Sequence, residues 1–115
     1  MTVVEQPEIL REWRESAPFW ERHASTIRAM FAPVTDALIK DAGIGNGQAV
    51  LDIAGGAGEP SLTIAETVGP TGLVTYTDAV VEMVEAAKRE AQRRGITNVS
   101  FRQCLAGSLP FYQWQ

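Results

Sequence analysis

The chain has 115 residues, of which 45% are hydrophobic and 21% charged, and a net charge of −4. Its length accommodates one small domain. The acidic balance argues against nucleic acid as a partner, because phosphate binding draws on clustered Lys and Arg. Lys88-Arg89 and Arg93-Arg94 read instead as a solvated helix face. Cys104 is the only cysteine, which excludes an intrachain disulfide and a cysteine zinc cluster; no metal site is expected. Met1 to Trp13 contains Glu5, Glu8, Arg11 and Glu12 and no apolar core, so it does not read as a signal peptide. No apolar run approaches the roughly 20 residues of a membrane span, and the expected location is cytoplasmic.

The first third predicts helix. Ser16-Ala17-Pro18 reads as a helix start, with Ser16 as cap and Pro18 in the first turn. Trp20, Ala24, Ile27, Phe31, Val34 and Leu38 recur at spacings of three or four, which makes one apolar face. Pro33 interrupts this stretch, so the pattern allows two helices or one kinked helix. Gly43, Gly45 and Gly47 then form a turn.

From Ala49 the pattern alternates. Ala49 to Ile53 predicts a buried strand, and Ala54 to Gly58 a glycine-rich loop. Pro60 to Val68 predicts a helix with Leu62, Ala65 and Val68 inward, and Leu73 to Thr77 a second strand. Val80 to Arg94 predicts a helix with Met83, Val84, Ala87 and Ala91 inward, stopped by Gly95. Val99 to Arg102 predicts a third strand. Such β-α-β-α-β alternation implies an α/β fold with a parallel, Rossmann-like sheet in the order 3-2-1.

The chemistry concentrates in Val50-Leu51-Asp52-Ile53-Ala54-Gly55-Gly56-Ala57-Gly58. Glycines after a strand let the backbone turn tightly, and a ligand can approach bare backbone at a helix N-terminus. Asp78 follows Gly58 by 20 positions at the end of the second strand. There a carboxylate can accept both hydroxyls of a ribose. Three readings compete: a structural turn without ligand, a dinucleotide site, and an S-adenosylmethionine site. The dinucleotide pattern G-x-G-x-x-G meets Ser61 at its third glycine, and no P-loop lysine is present. Asp52 and Glu59 suit a ligand that carries a sulfonium cation and no phosphate.

The segment Val50 to Pro60 resembles the first motif of class I (Rossmann-like) S-adenosylmethionine-dependent methyltransferases. Within them it is most similar to the group related to the ubiquinone/menaquinone C-methyltransferases. Gly69 to Val74, Asp78 to Met83, Asn98 to Phe101 and Leu109-Pro110-Phe111 extend the likeness, which spans about Trp13 to Phe111. The resemblance implies residues 1–47 as an N-terminal helical lid segment and 48–115 as the cofactor-binding half. It implies that the backbone of Ala54, Gly55, Gly56 and Gly58 cradles the methionine end of S-adenosylmethionine, with Asp52 beneath. Asp78 would hold the ribose, Ala79 and Val80 would pack on the adenine, and Ala106 would offer its N–H to the ring. Leu105 stands where many members carry an acidic acceptor for the adenine amino group, so a hydrogen bond of about 0.5–1.5 kcal/mol is expected to be lost. Trp13 and Trp20 match the lid. His23, the one histidine, reads as a helix-surface residue or a substrate-side base.

The implied activity is methyl transfer to a small-molecule acceptor, with no residue identifiable as catalytic. The alternatives are a non-catalytic remnant and an NAD-binding oxidoreductase fragment. The family's sheet places a fourth strand beside the first. Here Tyr112 to Gln115 follow Phe111, which reads as a C-terminal truncation, with self-association through the exposed strand edge.

Overall fold

The computed structural model describes residues 5–108, with side chains from residue 8 onward. Leu109-Pro110-Phe111 and the segment after them lie outside the described residues. The strands are β1 (Ala49–Ile53), β2 (Leu73–Asp78) and β3 (Val99–Gln103), and the helices are α1 (Glu5–Arg22), α2 (Ala24–Asp41), α3 (Ser61–Val68) and α4 (Val81–Arg93). The sheet has the order β1-β2-β3, parallel throughout. This is the expected Rossmann-like alternation, with boundaries within two residues of those read from sequence.

The register explains where the core sits. Asp52 lies beside Tyr76 and Tyr76 beside Phe101. Val74 and Tyr76 share one face of β2, because side chains alternate along a strand. Val74 packs with Ile64, Ala65 and Val68 of α3, and Tyr76 packs with Val84 and Ala87 of α4. Both crossover helices therefore cover that face. On the other face Ile53 and Leu73 are each 46% exposed. A parallel sheet ordinarily has both faces covered; among the described residues this one has a single covered face. No helix among them is long and apolar enough to cross a membrane.

The N-terminal region departs from expectation. Ser16 does not start a helix: α1 runs through it from Glu5, and the Ser16 hydroxyl donates to the Trp13 carbonyl at 3.1 Å. Pro18 lies inside α1. The continuity comes from packing, since Leu10, Ala17 and Trp20 bury against Val80 and Met83. Glu21 adds a two-pronged pair with Arg89 at 2.6 and 2.9 Å. That hydrogen-bonded pairing lowers the Glu21 pKa despite the opposing effect of burial. The break falls at His23, and α2 continues through Pro33. Pro60 precedes α3 as its N-cap residue rather than opening its first turn.

Asn98 closes the end of α3. Its amide donates to the carbonyls of Ala65 and Gly69 at 2.8 and 2.9 Å. Each carbonyl also accepts a backbone N–H, from Gly69 and Gly72 respectively, so the Asn98 amide supplies a second donor to both. Asn98→Ala should lower unfolding stability by about 1–3 kcal/mol, the net contribution of the two side-chain hydrogen bonds it removes. Chemical denaturation of both proteins checks this, and the loss should appear in the midpoint with an unchanged slope.

Candidate cofactor site

The three strands end together, and the loop after β1 crosses over this end. Ala54 and Gly56 take left-handed backbone angles, with φ of 61° and 60°. Ala54 thus adopts a conformation that normally favours glycine, at a cost on the order of 1 kcal/mol. Gly55 is glycine for a different reason: a Cβ there would overlap the ring of Tyr76 beneath it. The backbone stays bonded to β2 after β1 has ended. Gly55 N–H donates to Thr77 C=O at 2.8 Å, and Gly56 N–H donates to Asp78 Oδ2 at 2.9 Å. The Tyr76 hydroxyl donates to the Gly56 carbonyl. Burial, together with the nearby Asp78 and Asp52, raises the Tyr76 pKa. The phenol therefore remains a donor.

Asp78 is 8% exposed. Its second oxygen accepts from Val80 N–H at 2.9 Å. One lone pair on each oxygen is thereby engaged, and each oxygen retains another. A groove of about 740 Å³ runs past this carboxylate, between the loop and the N-terminal helices. Ala54, Gly55, Gly56, Asp78, Ala79, Val80 and Ala106 all line it, as the sequence reading expects. Its opposite wall carries Trp13, Trp20, Ala24, Ile27, Phe31, Val34 and Leu38. The stripe read as one helix face is therefore one wall of the groove, shared between α1 and α2.

Three of the expected residues do not line the groove. Gly58 is buried against Leu62 and does not reach the groove. Leu105 is 47% exposed and also outside the lining; Cys104, whose N–H donates to Asp78 C=O at 3.0 Å, occupies that side instead. Asp52 lies below the loop, where it accepts from the Ser61 hydroxyl. Both Asp52 and Glu59, read as suiting a cationic ligand, have partners within the protein. Glu59 lines the groove, but it pairs with Arg94 and accepts from Thr63 at 2.7 Å. Arg94 also reaches Glu66 at 2.7 Å and is 11% exposed. His23 does not line the groove and lies against Phe19, with 4.6 Å between ring centroids. Among the described residues no group of three or more His, Cys, Asp and Glu is placed to hold a metal.

Tyr76 and Arg94 are the residues that sequence reasoning missed. Tyr76 reads as ordinary strand core. Its signal is its position two residues before Asp78 on the helix-covered face, under the loop. Arg94 acts across 35 positions, and no local pattern announces that.

The fold and the groove define a Rossmann-like α/β domain with a ligand site at the strand ends. The family described as "Methyltransferase domain" matches residues 44–115, and the chain belongs to that family. It is similar to the ubiquinone/menaquinone biosynthesis C-methyltransferase UbiE of Pseudomonas aeruginosa, at 39% identity over 74 residues. That match takes in 64% of this chain and 29% of the relative, so the chain spans under a third of the length of the curated relatives it matches. Coclaurine N-methyltransferase, solved with N-methylheliamine and SAH, aligns with a TM-score of 0.65 at 26% identity, over 70% of this chain and 24% of that one. A putative S-adenosyl-L-methionine-dependent methyltransferase from Methanococcus maripaludis shares the fold, with a TM-score of 0.71 at 19% identity, over 85% and 44%.

Burial, opposed by the Ser61 hydrogen bond and reinforced by Asp78 and Glu59, raises the Asp52 pKa above 3.8. The folded state therefore holds the Asp52 proton more tightly than the unfolded chain. That contribution to stability is complete below the unfolded pKa and is lost as pH rises through the folded one. Asp52→Asn keeps an acceptor for Ser61 without the charge. Wild-type stability relative to this variant should fall as pH climbs from about 4 and level off above the folded pKa. Denaturant titrations of both proteins across that range measure it, and a rise with pH would contradict the assignment.

Proposed function

We propose that this chain binds S-adenosylmethionine in the groove at the strand ends and serves transfer of its methyl group to a small-molecule acceptor. The observation that carries the reading is the Asp78 carboxylate, fixed by two backbone N–H groups with lone pairs to spare, beside a glycine loop in a family of methyltransferase domains. The geometry fits the ligand. The spare lone pairs of Asp78 support a role on the ribose hydroxyls, and the apolar Ala79, Val80 and Ala106 along the groove support an adenine subsite. Gly56 leaves open space above the loop for the amino-acid end, since a Cβ there meets nothing within 4 Å. The sulfonium supplies an already activated methyl group, so the protein's work is alignment and exclusion of water. Residues 1–47 act in this reading as a helical cover over a cofactor-binding half, 48–115. A cytoplasmic location accords with it.

Asp78→Ala should weaken S-adenosylhomocysteine binding by about 1–3 kcal/mol, the range for a hydrogen bond to a charged group. Titration calorimetry on both proteins tests this, and equal affinities would remove Asp78 from the site.

Self-association belongs to the same proposal. Among the described residues β1 pairs on one side only. Its sequence is Ala-Val-Leu-Asp-Ile, with no Pro, Lys or bulge of the kind that protects an edge. A second copy can extend the sheet there. Sedimentation over a range of concentrations should report an average mass that rises with concentration. A concentration-independent monomer, with slow amide exchange from Val50 to Ile53, would rule it out.

A further inference from the structure

We propose that Tyr76 is the positioning residue for the amino-acid end of the bound cofactor: its hydroxyl fixes the Gly56–Ala57 peptide so that the Ala57 N–H faces the groove as a donor. The inference rests on the cofactor reading above. Tyr76 is fully buried, with its ring under Gly55 and its hydroxyl on the Gly56 carbonyl. A trans peptide is planar, with C=O and N–H directed to opposite sides. Drawing the Gly56 carbonyl down onto Tyr76 therefore turns the Ala57 N–H up and away from β2. Ala57 lines the groove. Its N–H donates to no acceptor among the described residues, whereas the amides of Gly55, Gly56 and Gly58 are all engaged. A carboxylate is the chemical partner that such a lone, oriented amide near the start of α3 recognises best.

The loop conformation is over-determined at this point. Gly56 N–H is held by Asp78 on one side of the residue, and its carbonyl by Tyr76 on the other. Without the hydroxyl the peptide is free to rotate, and ordering it again on binding lowers affinity. The effect is confined to ligands that use the Ala57 amide. Tyr76→Phe keeps the ring that supports Gly55 and removes only the oxygen; the half-buried Gly56 carbonyl then turns to water.

Two ligands separate this role from a structural one. S-adenosylhomocysteine carries the amino-acid end, and 5′-methylthioadenosine has the same adenosine thioether without it. Calorimetry should show Tyr76→Phe binding S-adenosylhomocysteine about three- to ten-fold more weakly than wild type, the equivalent of one hydrogen bond. Its affinity for 5′-methylthioadenosine should be unchanged. In the wild-type protein the Ala57 amide resonance should shift with S-adenosylhomocysteine and stay in place with the shorter ligand. Equal losses for both ligands, no loss for either, or an Ala57 amide that responds to both alike would overturn the assignment to Tyr76. A wild-type protein that binds neither ligand would instead overturn the cofactor reading itself.

Discussion

The loop between β1 and α3 stays bonded to the neighbouring strand after β1 has ended, and the site follows from that constraint. A strand usually gives up its ladder when it turns into a helix. Here Gly55 and Gly56 add two more bonds to β2, one to the Thr77 carbonyl and one to the Asp78 carboxylate. The chain can lie this close to β2 because Gly55 has no side chain to meet the Tyr76 ring. The same contact orients Asp78. A buried carboxylate left unpaired would take up a proton or turn away. Two backbone N–H bonds fix the orientation of this one beside the groove.

The far end of the loop is held by charge. Arg94 extends from the end of α4 to Glu59 and Glu66, and so ties the loop, α3 and α4 together. Such a pair, mostly removed from water, contributes little net stability, because desolvation offsets the attraction. What it contributes is position. Glu59 cannot swing into the groove while it bridges Arg94 and Thr63. Asp52 and Ser61 close a third contact underneath, between the end of β1 and the first residue of α3. The loop is thus braced at its start by β2, at its end by α4, and from below by β1. The binding surface consists of what these braces leave free.

From Ala49 to Gln103 the fold was legible because each element carries its own period and its own punctuation. Leu62, Ala65 and Val68, and likewise Met83, Val84, Ala87 and Ala91, fall inward where their spacing puts them. Ala54, Gly55, Gly56 and Asp78 converge where a glycine turn and a strand-end carboxylate must converge in a parallel sheet. The N-terminal boundary was not legible, because Ser16-Ala17-Pro18 is a local start signal overridden by distant burial. Ala17 packs against Met83, more than 60 positions away, and that contact carries α1 through the proline. The partners of Asp52 and Glu59 were illegible for a related reason. A sequence shows that a carboxylate is present, not that a serine or an arginine already engages it.

The apolar groups without a protein partner are concentrated around the groove. Phe31, Val34 and Leu38 of α2 are between 47% and 64% exposed, and α2 contains no buried residue. Ile53, at the end of β1, borders the same space. Most helices in folded proteins owe their stability to a buried apolar face rather than to propensity, and α2 lacks one among the described residues. Phe31, Val34 and Leu38 line the groove, so a ligand that filled it would cover them. Occupancy of the groove and burial of α2 are therefore linked: a ligand that covers the stripe removes apolar surface from water. The loop side of the groove is braced at three points, whereas α2 reaches the α3 core cluster through the partly buried Ile39. In the proposed reading adenosine is recognised on the braced wall, and the stripe of Phe31, Val34 and Leu38 on α2 faces what else enters the groove.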